Sequence, residues 1–86
     1  MGLSYIGFYL CLMRSLHSEP YKKFLKRLYQ ARENAGLTQI EVARQFGKPQ
    51  SFVSKCELGE RTVDVLDLLQ FSKIYKVPLD FFFEDF

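Results

Sequence analysis

Between Ser18 and Leu37 the apolar residues fall at positions 21, 24, 25, 28, 31 and 35, with polar residues between them. That three-and-four spacing lines one side of a helix. Ser18 stands ahead of the run as a cap, Glu19 and Pro20 suit a first turn, and Gly36 supplies a left-handed stop from which Leu37 folds back. Lys22, Lys23, Lys26 and Arg27 take the other face. A second helix restarts at once. Thr38 and Glu41 form a T-x-x-E capping box, Leu37 and Val42 occupy the staple positions, and Ile40, Ala43 and Phe46 are the residues expected to face inward before Gly47 ends it. Pro49 fixes a helical φ for a third helix, "QSFVSKCEL", which stops at Gly59. Its positions 53 and 56, with Pro49, point to the core. A fourth helix follows a polar link, capped by Asp64 with Asp67 in the first turn and with Val65, Leu68, Leu69, Ser72 and Tyr75 as the inner stripe, until Pro78 breaks it. "PLDFFFEDF" allows one last short helical turn. No alternating strand pattern appears after Ser18, so residues 18–86 are expected to form a single all-α domain.

Residues 1–17 read differently. "MGLSYIGFYLCLM" is apolar and aromatic without a charge, and Arg14 follows it. A secretory signal puts its positive charge before the apolar run and closes on small residues, and a bilayer span needs about 20 apolar residues, so neither a signal nor membrane insertion is expected. Three readings stay open: an arm packing on the domain or on a second subunit, a disordered tail, or an upstream extension of a chain whose natural start is Met13.

Charge changes the picture more than overall composition does. The net +2 divides unevenly, with ten Lys or Arg against five acids in residues 1–61 and two against five in residues 62–86. A basic half suggests a polyanionic partner, the bland reading being a solvated face. Two cysteines, Cys11 and Cys56, lie far apart and His17 is the one histidine, which falls short of a zinc site or a disulfide framework. A cytoplasmic protein with no metal or cofactor is expected. Cys56, in a helical apolar row, reads as a small core residue rather than a reactive thiol. With no glycine-rich phosphate loop, no ligand cluster and no carboxylate pair in a plausible cleft, an enzyme is not expected.

The chemistry concentrates in "GKPQSFVSKCELGER". Two short helices joined by a glycine turn, the first with a capping box and the second with Gln50, Ser51, Ser54 and Lys55 on one face, have the form of a helix-turn-helix. Gln and Ser side chains both donate and accept hydrogen bonds, which suits base edges in a major groove, and Lys55 can reach a guanine or a phosphate. Phe52 reads as packing. The stretches "ARENAGLTQIEVARQFGKPQSFVSKCELGER" and "DVLDLLQFSKIYKVPLDFF" resemble the XRE, or phage-repressor (Cro-like), helix-turn-helix family over residues 22–83. That resemblance implies a compact five-helix domain that binds operator DNA, usually as a two-fold dimer. It also implies that Gln39 caps the scaffold helix against a phosphate, that Gln50, Ser51, Ser54 and Lys55 read bases or adjoining backbone, and that Lys48 and Arg61 add basic contacts, Arg61 clamping the backbone. The resemblance further implies that the matching pair, Arg32 and Glu57, forms an ion pair tying the first helix to the end of the third, so both are expected to be structural. The sequence departs from the family at Pro49, where a Ser or Thr cap is common, and at Leu58, where Asn is common.

Plain alternatives stand beside these roles: Gln39 as a surface residue, and Ser54 bonded back to its own helix carbonyl. A sequence-specific regulator, expected to repress, needs two reading helices. The surplus apolar residues Val77, Leu79, Phe81, Phe83 and Phe86, joined by Tyr5, Ile6, Phe8 and Tyr9, are therefore candidates for a homodimer surface, against the alternative that they only close a small core. The competing class is an antitoxin-like or regulator-binding module that holds a protein partner on the same scaffold.

Overall fold

Tyr21 N donates to the Ser18 hydroxyl at 3.4 Å and opens α1, Glu19–Ala35, in a computed structural model that describes residues 18–84. Gly36 closes it in the left-handed region, and Leu37 N donates back to Arg32 O at 3.3 Å. Phe24, Leu28 and Ala31 are buried, with Tyr21 and Leu25 half-buried beside them. Ala35 is exposed, because the helix outruns the core there and the returning Leu37 takes the inward place.

α2, Gln39–Phe46, carries the reciprocal box: Glu41 N donates to the Thr38 hydroxyl at 3.1 Å and Thr38 N to the Glu41 carboxylate at 2.8 Å. Val42 and Ala43 are buried and Phe46 is partly so, but Ile40 is 55 % exposed and does not face inward. With 3.6 residues per turn, the inward direction set by positions 42, 43 and 46 lies about a third of a turn from position 40. α3, Gln50–Leu58, buries Phe52, Val53 and Cys56 and ends at Gly59. Pro49 is exposed: its ψ of 160° is extended, so it stands outside the helical row it was expected to join.

α4, Val65–Tyr75, starts on a second reciprocal box, Asp64 with Asp67. Its inner row is Leu68, Phe71, Ser72 and Tyr75. Phe71, absent from the expected stripe, is fully buried, whereas Val65 is 80 % exposed and Leu69 also faces out. Lys76 ends the helix in the left-handed region, and a 3-10 turn, Leu79–Phe83, closes the described chain. The described residues thus hold four α-helices and no strand, with a 3-10 turn where a fifth helix was expected.

The core is aromatic. Phe46 packs against Phe52 and Phe71 with ring centroids 4.9 and 4.7 Å apart, and Phe82 is buried against Phe24. Arg27 does not share the solvated basic face. Its Nε donates to Phe81 O at 2.8 Å, its Nη2 pairs with Glu84 at 2.6 Å, and its guanidinium lies 3.9 Å from the Phe81 ring centroid, so it fastens the terminal turn to α1. On the opposite flank of α1, the Tyr21 hydroxyl accepts from Val63 N at 3.1 Å and anchors the link that leads into α4. Phe86 and residues 1–17 lie outside the described residues.

Candidate nucleic-acid interface

Gly47 adopts φ 70°, a conformation costly for any side chain with a Cβ, and this lets Lys48 N reach back to Ala43 O at 3.0 Å. The chain therefore leaves α2 and enters α3 within three residues, which crosses the two helices in a tight unit. α3 has no side-chain cap, since Pro49 has none to offer. Its inward row presses Val53 and Cys56 fully into the core. Burial pushes the Cys56 thiol up to about 11, so at neutral pH it is a protonated packing group.

The outward row is Gln50, Ser51 and Lys55, all exposed, with Ser54 half-buried at the edge toward α1. Neither serine side chain has a hydrogen-bond partner among the described residues, and Lys55 makes no ion pair there, so Ser51 and Lys55 stand open to solvent with Ser54 partly covered beside them. Ser54 does not bond back to its own helix.

Gln50 is held. Its Nε2 donates to Gln39 Oε1 at 2.9 Å, Gln39 Nε2 donates to Glu57 Oε1 at 2.9 Å, and Glu57 receives Arg32 Nε at 2.7 Å and Nη2 at 3.2 Å. Arg32 Nη1 also donates to Leu37 O at 3.1 Å, just before α2 begins. The side chains of Arg32 and Glu57 are 12 % and 6 % exposed, and hydrogen bonding to Glu57 raises the Arg32 pKa above its ordinary value. One continuous chain of hydrogen bonds thus runs from α1 through the end of α3 and the start of α2 to the first residue of α3. Gln39 is half-buried and bonded on two sides, and its Nε2 keeps a second N–H beyond the one given to Glu57. Its internal role, a spacer that sets Gln50 at a fixed height, has only a weak trace in the sequence: two glutamines each at the first position of a helix.

The basic residues bracket this row. The Lys48 ammonium lies 5.6 Å and the Arg61 guanidinium 4.8 Å from the centroid of the Phe52 ring, and Arg61 Nη2 also reaches Asp67 at 3.3 Å. Phe52 is buried, so sequence reasoning placed it in packing while missing that its ring seats both cations. On the other side, Lys22, Lys26, Leu25 and Tyr29 of α1 line a groove of about 410 Å³ with Ser54 and the exposed Leu58 of α3. Among the described residues no group of side chains could hold a metal ion, and no helix is long and apolar enough to cross a membrane.

A family model described as helix-turn-helix matches residues 28–82, which include the whole α2–α3 unit. No curated protein sequence matches the chain. With well over half of its length under that model, the chain belongs to the XRE, or phage-repressor-type, helix-turn-helix family of DNA-binding regulators.

Proposed function

We propose that the protein binds duplex DNA sequence-specifically, with α3 in the major groove, and regulates transcription by occupying its operator, in the sense of a repressor. The observation that carries this reading is the hydrogen-bonded chain ending on Gln50. After giving one N–H to Gln39, the Gln50 amide keeps its other N–H and its carbonyl oxygen for a base. That donor–acceptor pair matches N7 and the N6 amino group of adenine, so Gln50 selects an A·T pair with discrimination of about 1–3 kcal/mol. Ser51, Ser54 and Lys55 contact neighbouring bases or backbone, and Lys48 and Arg61 clamp phosphates on the flank. Lys48 is exposed, and Arg61 keeps 43 % of its side chain exposed while its ring and carboxylate contacts hold it in place.

One α3 covers only a few base pairs, so two copies read a palindrome with half-sites about 34 Å apart. Of the residues expected to pair them, Val77 and Phe81 are half-buried in the core's margin, while Leu79 and Phe83 keep exposed surface. Val65, Leu66 and Leu69 add exposed apolar surface on α4. That same surface supports the second reading, a module that also holds a protein partner. Selection of bound sites from random duplexes tests the main proposal. Enrichment of an inverted repeat with adenine at one position of each half-site is expected, and recovery of no sequence above background rejects it.

A further inference from the structure

The groove between α1 and α3 has a lining of two kinds. Leu25, Leu58 and the ring of Tyr29 give it apolar walls, and Leu58 and Tyr29 are 60 % and 50 % exposed. Lys22 and Lys26 stand one helical turn apart on the α1 side, both exposed. The Lys22 ammonium pairs with Glu19 at 3.4 Å on the open surface, where such a pair is weak, and Lys26 makes no ion pair among the described residues. Glu57, the acid in the lining, is already neutralised by Arg32. The groove therefore carries the positive charge of its lysines over apolar walls. Ser54 and Gln39 complete the lining, so it opens beside the outward row of α3.

We propose that this groove receives the sugar–phosphate strand bordering the bases that α3 reads, with Lys22 and Lys26 on phosphates and Leu58 and the Tyr29 ring against deoxyribose. The inference rests on the reading of DNA by α3 and adds α1 to the surface that holds the duplex. A nucleic-acid strand alternates anionic phosphates with largely apolar sugar faces, and the lining offers a partner for each. The Arg32 guanidinium lies 5.2 Å from the Tyr29 ring centroid, which steadies that ring on α1 and leaves its hydroxyl as a further donor. An acidic peptide would match the charge equally well. The shared residue decides between them: Ser54 belongs both to the groove and to the α3 row, so a duplex seated on α3 runs past the groove's mouth. Contacts of this kind fix the register of the protein on DNA and carry no sequence preference of their own.

The test compares the full-length parent with Lys22→Gln/Lys26→Gln and with Lys23→Gln, which removes an exposed charge from α1 outside the groove. Each is titrated against the selected operator over a range of salt, with phosphate ethylation interference on the same duplex. The double variant is expected to flatten the logarithmic salt slope by about 1.8, two contacts, and to lose the interference at the matching phosphates, while Lys23→Gln leaves both as in the parent. The ratio of affinities for the operator and for its adenine-substituted form should stay unchanged in all three proteins. A double variant that keeps the parent's slope and interference pattern overturns the proposal, leaves base reading by α3 standing, and frees the groove for a peptide. An effect of Lys23→Gln as large per charge overturns it too, since the lysines then act through general charge. A parent that binds no duplex removes the proposal together with the reading on which it rests.

Discussion

Glu57 collects three donors on one carboxylate, two from Arg32 and one from Gln39, with 6 % of its side chain exposed. Removing one partner of such a pair leaves a buried charge uncompensated, which costs about 3 kcal/mol. Glu57→Ala is therefore expected to lower the thermal midpoint by several degrees, and an unchanged midpoint contradicts a structural role for the pair. Because Gln39 loses its acceptor in the same variant, Gln50 is released as well. In whatever folded protein persists, discrimination at the adenine position is expected to fall along with stability. A second residue-scale outcome concerns acid. The Glu41 carboxyl is held below the usual carboxylate range by the Thr38 backbone N–H, then by the Thr38 hydroxyl. A depressed folded-state pKa means that the stabilising effect is present above the unfolded value and lost as pH falls through the folded one. Glu41→Ala should be less stable than the parent at neutral pH, and urea titrations of the two should converge below the folded-state pKa. A gap that persists undiminished in strong acid contradicts the capping role.

At the scale of helices, ends were legible and faces less so. Ser18, the Thr38–Glu41 and Asp64–Asp67 pairs and the stops at Gly36, Gly47 and Gly59 are local chemistry, written within four residues, and each stands where the sequence puts it. Which way a helix faces is a tertiary matter. Ile40, Val65 and Leu69 have the right spacing for a buried stripe, yet the stripe's centre is set by neighbours, and Phe71, Val42 and Leu68 hold the inward positions. The same limit applies to the candidate site. The outward row of α3 was readable from periodicity, whereas the tie from Gln50 through Gln39 to Glu57 joins residues 18 and 11 positions apart and depends on the crossing of α2 and α3. Arg27 was misplaced for a similar reason, its partners Phe81 and Glu84 being over 50 residues away. The exposed row on α4 gives a prediction at this scale. Val65→Lys with Leu66→Glu should leave the folding free energy within about 0.5 kcal/mol, as surface changes do, while sedimentation shows weaker self-association. Unchanged association removes α4 from the proposed dimer surface.

Across the whole molecule, charge is divided as the proposed reading of DNA requires. Residues 1–61 hold most of the cations, and Lys48, Lys55 and Arg61 flank the outward side of α3. Phosphate contacts release counterions, so binding should weaken linearly in logarithmic plots against salt, with each neutralised phosphate contributing about 0.9 to the slope. Lys55→Ala is expected to reduce affinity on every DNA sequence and to flatten that slope by about one contact. A slope identical to the parent's excludes Lys55 from the backbone. The aromatic core, the Arg27 clasp and the buried Arg32–Glu57 pair serve a common end, a rigid support that holds α3 outward without a cap of its own. The measurement that bears most directly on DNA reading by α3 is a binding cycle: the parent and Gln50→Ala, each titrated against the selected operator and against one with the adenine of each half-site replaced. The parent should lose about 1–3 kcal/mol at that substitution and the variant nothing further. An equal loss by both proteins would contradict the reading of bases by Gln50.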